Sequence, residues 1–206
     1  MHILVLGATG RVGSHIVTYA LQDGHQVTAL VRTPEKINTH HDQLTIIQGN
    51  VLEPQDLFRA IQGADVVISA LNTDGTTTLS ESMPLLMDAM VQEGIQRIIT
   101  VGTAGILQSR TEPEKLRYQS SESKRKSTRA AEEHERVYTL LKESNLEWTM
   151  VCPTYLPDGE RLGTYRVERD MLPEGGTEIS VGDTAEFTYR QLMDRRFMNS
   201  RVGISY

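Results

Sequence analysis

The chain has 206 residues, a formal net charge of −6, 38% hydrophobic and 23% charged residues, enough apolar material for one domain, 1–206, with a full core. The acidic balance argues against a nucleic-acid surface as the main function, and the single cysteine, Cys152, excludes an intrachain disulfide framework and argues against a thiolate-built metal site. Met1-His2-Ile3 enters an apolar run at once without a signal-peptide pattern, and no apolar stretch reaches the length of a membrane span, so a cytoplasmic protein is expected.

The first element is the most informative. Ile3-Leu4-Val5-Leu6 reads as a buried strand, and it runs into Gly7-Ala8-Thr9-Gly10-Arg11-Val12-Gly13. Val12, Ile16, Val17, Ala20 and Leu21 then recur at helical spacing. A strand, a glycine-spaced turn and a helix in this order form the site where a dinucleotide pyrophosphate sits on a helix N-terminus. Gly7 is read as the tight turn and Gly10 as the close approach to phosphate. Gly13 is read as the contact between helix and sheet, with Thr9, Arg11 and Val12 completing the loop.

Further elements alternate. Strands are predicted over Gln26 to Arg32, Leu44 to Gln48, Ala64 to Ala70, Arg97 to Gly102 and Glu147 to Val151. Helices are predicted over Asp56 to Gln62, over Leu79 to Glu93, and along a charged segment ending near Glu143. Strands nearly continuous in Val, Ile and Leu suit a parallel sheet covered on both faces. The expected fold is a doubly wound α/β Rossmann sheet of order 3-2-1-4-5-6, with ligand at the carboxyl ends where the order reverses. Two segments break the alternation. Gln108 to Lys126 is polar and reads equally as a lid or a solvated loop, with Lys124-Arg125-Lys126 as a solvated helix start. Residues 152–180 are rich in Pro and Gly and read as a small substrate lobe, with a short hairpin around Tyr165-Arg166-Val167.

The end of the second strand bears on cofactor choice. An enzyme that prefers NAD carries an acid there, about twenty residues past the glycine loop, to hold the ribose 2′-hydroxyl. Here Arg32 stands in that place, in Val31-Arg32-Thr33-Pro34. A guanidinium binds a 2′-phosphate through forked, charge-assisted bonds, so NADP(H) is favoured. Arg11 and Lys36 are further cations that could approach the same phosphate.

With the glycine loop, Val31-Arg32-Thr33-Pro34-Glu35-Lys36, Gly49-Asn50-Val51 and Val67-Ile68-Ser69-Ala70-Leu71 in order, the chain resembles the atypical short-chain dehydrogenase/reductases. More closely, it is similar to their NAD(P)H-binding group, which includes flavin reductase/biliverdin reductase B-like and NmrA-like proteins. The resemblance continues through His134, Glu143 to Thr149, Pro153 and Ile179 to Ala185. It implies that Asn50 and Val51 border the adenine and that Ala70, Leu71 and Asn72 run beside the ribose and nicotinamide. Thr103 would stand next to the nicotinamide, and Pro153, Thr154 and Tyr155 would close over it. Thr103 and Tyr155 are the catalytic candidates. Two positions depart from the biliverdin reductase B type, Tyr155 in place of a histidine and Gly105 in place of an aromatic.

The Tyr-x-x-x-Lys pair of the wider superfamily, in which Lys lowers the Tyr pKa for acid/base work, has a formal match in Tyr138-Thr139-Leu140-Leu141-Lys142. Its place at the end of the helix makes Tyr138 a packed aromatic, remote from the ligand edge. Without that pair, the proton must come from solvent, Tyr155 or the substrate. Hydride transfer to an electron-poor ring needs little acid help. His134, in Glu132-Glu133-His134-Glu135, reads as a solvated helix residue, and His40-His41 lacks metal-ligand spacing. Two functions remain. One is an NADPH-dependent reductase of a small planar, flavin- or quinone-like acceptor. The other is a non-enzymatic NADP(H)-binding redox sensor that engages a protein partner. Neither needs nucleic acid or membrane.

Overall fold

The computed structural model describes residues 1–73, 75–123 and 126–206, so Lys124 and Arg125 of the expected helix start lie outside the described residues. Among the described residues eight strands form one sheet: β1 (His2–Leu6), β2 (Gln26–Val31), β3 (Leu44–Gln48), β4 (Val66–Ser69), β5 (Arg97–Val101), β6 (Glu147–Pro153), β7 (Arg166–Arg169) and β8 (Ser200–Ser205). The order is β3-β2-β1-β4-β5-β6-β8-β7. Every pairing is parallel except β7 with β8. Among the described residues the α-helices are α1 (Arg11–Gln22), α2 (Pro54–Ile61), α3 (Thr78–Gln92), α4 (Arg129–Lys142) and α5 (Val181–Arg190).

Side-chain alternation sorts the core into two layers. Ile3 and Val5 of β1 join Ile16 and Val17 of α1 and Val181 and Ala185 of α5. Leu4 and Leu6 join Leu57 of α2, Leu86 and Met90 of α3, and Val137 and Leu141 of α4. Both sheet faces are covered, which is why β1 is apolar from Ile3 to Leu6 and β4 from Val66 to Ile68. Chain order reverses between β1 and β4, and that crevice at the carboxyl ends is where α/β sheets bind ligands. No helix among the described residues is long and apolar enough to cross a membrane.

The expected order holds for six strands, and two more extend it. Tyr165-Arg166-Val167 does not make a local hairpin. β7 pairs instead with β8, with Arg166 opposite Ser205 and Arg169 opposite Val202. The segment 152–180 thereby contributes an edge strand to the main sheet. Gln108 to Ser123 is stitched down among the described residues. Gln108 bridges to Leu116, Arg110 pairs with Glu168, and Arg117 Nη1 lies 3.1 Å from Glu122 Oε2.

Candidate functional site

The glycine loop leaves β1 through Gly7, whose φ of +79° is one that L side chains rarely adopt. A Cβ on Gly7 would lie 2.5 Å from the Ala70 carbonyl oxygen beyond β4, and one on Gly13 would lie 2.1 Å from the Gly7 carbonyl oxygen. Bare backbone is therefore required at both positions. Gly10 is the N-cap of α1 in an extended conformation; no side chain caps the helix and no acid stands in its first turn. The amide end of α1 thus faces the crevice with its partial positive charge unopposed, an arrangement that suits a diphosphate.

Two cavities meet at this loop. One, of about 320 Å³, runs along the ends of β1, β2 and β4 and is bounded by Gly7, Thr9, Gly10, Arg32, Asn50, Val51, Ala70, Leu71 and Asn72. The other, of about 350 Å³, shares Thr9, Gly10, Ala70, Leu71 and Asn72 and continues past Arg11 and Val12 to Gly102, His134, Pro153 and Leu156. The shared residues make one groove across the topological switch point. Asn50 is held at the start of α2, its amide donating to Asp56 Oδ2 at 2.8 Å and its Oδ1 accepting from Leu52 at 3.1 Å.

Several predicted residues stand elsewhere. Arg11 does not join Arg32: its guanidinium donates to Leu156 O at 3.0 Å and Asp158 Oδ1 at 2.8 Å, tying the glycine loop to the segment after β6. Lys36 lines a separate hollow behind the loop with His15. Thr103 follows Gly102 but caps the short 3-10 turn Ala104–Ile106. Thr154 donates to Thr177 O at 3.2 Å, and Tyr155 is 69% exposed beside Glu178; neither bounds the two cavities.

Tyr138 behaves as its place predicts. It packs edge-on against Trp148 with ring centres 5.8 Å apart, and the Arg201 guanidinium lies 4.4 Å over its ring. His134 corrects the expectation of a solvated helix residue. It is buried at 9% exposure in the second turn of α4 and forms groove wall with Val101 and Gly102. The signal was present: His134 is in phase with Ala131, Val137 and Leu141, the buried face of the helix. Glu133 is also buried. It accepts from Ser80 Oγ at 2.8 Å and pairs with Arg136, fastening α4 to the start of α3.

A Rossmann sheet, a three-glycine turn and a groove across the switch point define a dinucleotide-binding protein. A model of the NAD(P)H-binding family matches residues 7–195, and the chain belongs to that family, one of NAD(P)-binding Rossmann oxidoreductases. It is similar to the uncharacterised protein YwnB of Bacillus subtilis, 26% identical over 99% of this chain and 98% of that one. Among solved structures it resembles a provisionally assigned epimerase of Bacteroides thetaiotaomicron, 30% identical, covering 100% of this chain and 96% of the other with a TM-score of 0.86. It also resembles a provisionally assigned NADH-flavin reductase of Streptococcus pneumoniae, 27% identical over 100% and 99% of the two chains with a TM-score of 0.80. Other curated relatives, a photosystem II assembly factor of Synechocystis among them, are longer. The chain spans 22% to 32% of their length.

Proposed function

We propose that the protein is an NADPH-dependent reductase that transfers hydride to a small planar, flavin- or quinone-like acceptor. The observation that carries this reading is the single groove, with an arginine at its β2 end and an open β5–β6 end beside the shared glycine loop. The adenine and its 2′-phosphate would lie against Asn50, Val51 and Arg32, and the diphosphate against Gly10 and the start of α1. The nicotinamide would lie along Leu71, Asn72, Gly102 and Pro153, with Thr103 and Thr154 behind and Tyr155 at the mouth. The bound dinucleotide supplies the hydride; the chain orients it and keeps water from that face. The name of the Streptococcus pneumoniae neighbour supports a flavin-like acceptor.

The first turns of α4 hold no tyrosine, which disfavours alcohol–ketone chemistry of the epimerase kind and leaves the redox sensor as the second reading. NADPH oxidation against a panel of flavins, quinones and tetrapyrroles separates them. Turnover with one class supports the reductase; tight NADPH binding without turnover supports the sensor.

Two substitutions test the placement. Arg32→Ala should weaken NADPH by about 1–3 kcal/mol, the range of a charge-assisted hydrogen bond, and leave NADH nearly unchanged. Equal losses in a titration with each cofactor would refute the 2′-phosphate assignment. Tyr155→Phe should change turnover or nicotinamide-end binding, while Tyr138→Phe should leave both within error and cost little stability. A loss of roughly a hundredfold in Tyr138→Phe, the scale of a removed acid/base group, would reinstate the Tyr–Lys pair.

A further inference from the structure

Arg11 is the first residue of α1, next to the N-cap Gly10. Its charge has the wrong sign for that place, because the amide end of a helix already carries partial positive charge and favours an acid. A residue that breaks a local rule marks either a functional position or a compensation elsewhere in the fold.

The compensation in the fold is partial. Both Arg11 bonds run through one nitrogen: Nη1 donates to Leu156 O at 3.0 Å and to Asp158 Oδ1 at 2.8 Å. Nε and Nη2 donate to no group among the described residues, although a guanidinium carries five N–H groups in a fixed fork. The ion pair is a surface one, with the Arg11 side chain 56% and the Asp158 side chain 82% exposed, and exposed pairs contribute little. Nor does the segment after β6 depend on it. The Val181 amide donates to Pro157 O at 3.1 Å and the Gly182 amide to Gly159 O at 3.0 Å. Asp183 holds the Leu162 and Gly163 amides. A segment fastened to α5 thus holds a cation by one corner and leaves the rest of its fork unused.

We infer that Arg11 grips the diphosphate of the bound dinucleotide through Nε and Nη2, on the phosphate nearer the nicotinamide, while Leu156 O aims the guanidinium from behind. This rests on the reading that the dinucleotide lies in the groove with its diphosphate at the start of α1. Arg11 bounds the cavity that runs from Thr9, Gly10 and Val12 to Gly102 and Pro153. Arg32 bounds the other cavity, at the end of β2. The two guanidinium groups therefore stand at different stations of one groove, each suited to a different phosphate. A fork-to-oxyanion contact is short and charge-assisted. It also removes the conflict at α1, since an anion there satisfies the helix end and the arginine together. Asp158 is then the competitor of the phosphate for the same cation.

The test compares wild type, Arg11→Ala, Arg11→Lys and Asp158→Asn, all changes at exposed side chains. Three ligands dissect the dinucleotide. 2′,5′-ADP carries only the adenosine-side phosphate of the diphosphate, 2′-phospho-ADP-ribose carries both phosphates without nicotinamide, and NADPH is the whole. NADPH binding is read by fluorescence, and the two fragments by its displacement. Arg11→Ala should weaken 2′-phospho-ADP-ribose and NADPH by the same factor, about tenfold, the low end for a hydrogen bond to a charged group, and 2′,5′-ADP by less than about twofold. Arg11→Lys should recover part of that loss, because it keeps the charge without the fork. Asp158→Asn keeps an oxygen for Nη1 and removes the competing charge, so all three ligands should bind at least as tightly as to wild type. Equal loss of all three ligands in Arg11→Ala, loss of NADPH alone, or no loss overturns the assignment. So does a loss in Asp158→Asn as large as that in Arg11→Ala, which makes the tie to the segment, and not the cation, the feature that matters. A wild type that binds none of the three ligands overturns the cofactor reading itself.

Discussion

Gly10→Val is expected to abolish NADPH binding while the chain stays folded. The backbone at Gly10, φ −81° and ψ 167°, is one any residue adopts, and an added Cβ would lie 3.1 Å from Gly7 O, tight but without a severe clash. The branched side chain would occupy the space where the proposed diphosphate meets the end of α1, and a displaced phosphate forfeits the helix amides together. Gly13→Val is the contrasting variant. Its Cβ would lie 2.1 Å from Gly7 O, so the helix must move off the strand, and both stability and binding should fall. Isothermal titration with NADPH and thermal unfolding of the two variants check this. Retained affinity in Gly10→Val would remove the diphosphate from this loop.

A second large effect is expected at Asp183, whose carboxylate is fully buried at the start of α5. It accepts from the Leu162 amide at 3.0 Å, the Gly163 amide at 2.7 Å and the Tyr206 hydroxyl at 2.7 Å. Ser180, the N-cap of α5, completes the cluster. Those contacts pin residues 159–163 over α5, where a Cβ on Gly182 would already lie 2.4 Å from the Arg161 nitrogen. Asp183→Ala strands several donors at once. At about 1–3 kcal/mol for each orphaned buried group, the variant should lose about 3–5 kcal/mol. For a chain of this size, that lowers Tm by about 10 °C. NADPH affinity should fall as well, because the neighbouring Leu156 and Asp158 hold Arg11 of the glycine loop. Calorimetry showing a Tm within about 2 °C of wild type would mean that the cluster does not anchor the segment; the threshold is under 1 kcal/mol on the same scale.

The first six strands and the glycine turn were legible because each carries a local signature. Buried parallel strands need unbroken apolar runs such as Ile3 to Leu6 and Val66 to Ile68, and a phosphate turn needs glycines at fixed spacing. β8 has no such run. Its sequence, Ser200-Arg201-Val202-Gly203-Ile204-Ser205, is buried throughout, but its charged and glycine positions make sense only against distant parts of the chain. Arg201 bonds Asp170 and the Ile106 carbonyl, and Gly203 is needed because a Cβ would lie 2.0 Å from Met171 O. α5 was hidden in the same way, since buried Asp183 and Glu186 break its apolar pattern. A Ser180-x-x-Asp183 capping pattern was the available signal.

Sequence alone therefore determined what rests on neighbours a few residues apart: the strand–turn–helix that takes a dinucleotide, the alternation that makes a doubly wound sheet, and Arg32 at the end of the second strand. The tertiary structure decided what rests on partners far along the chain. It drew Arg11 to Asp158, 147 residues away, sent Tyr138 onto Trp148 and Arg201, and paired β7 with β8, the last strand in chain order. It also moved His134 from an apparently solvated charged run to the groove wall, because helical phase and the packing of α4 against the sheet, not the polarity of adjacent residues, set which way a side chain faces.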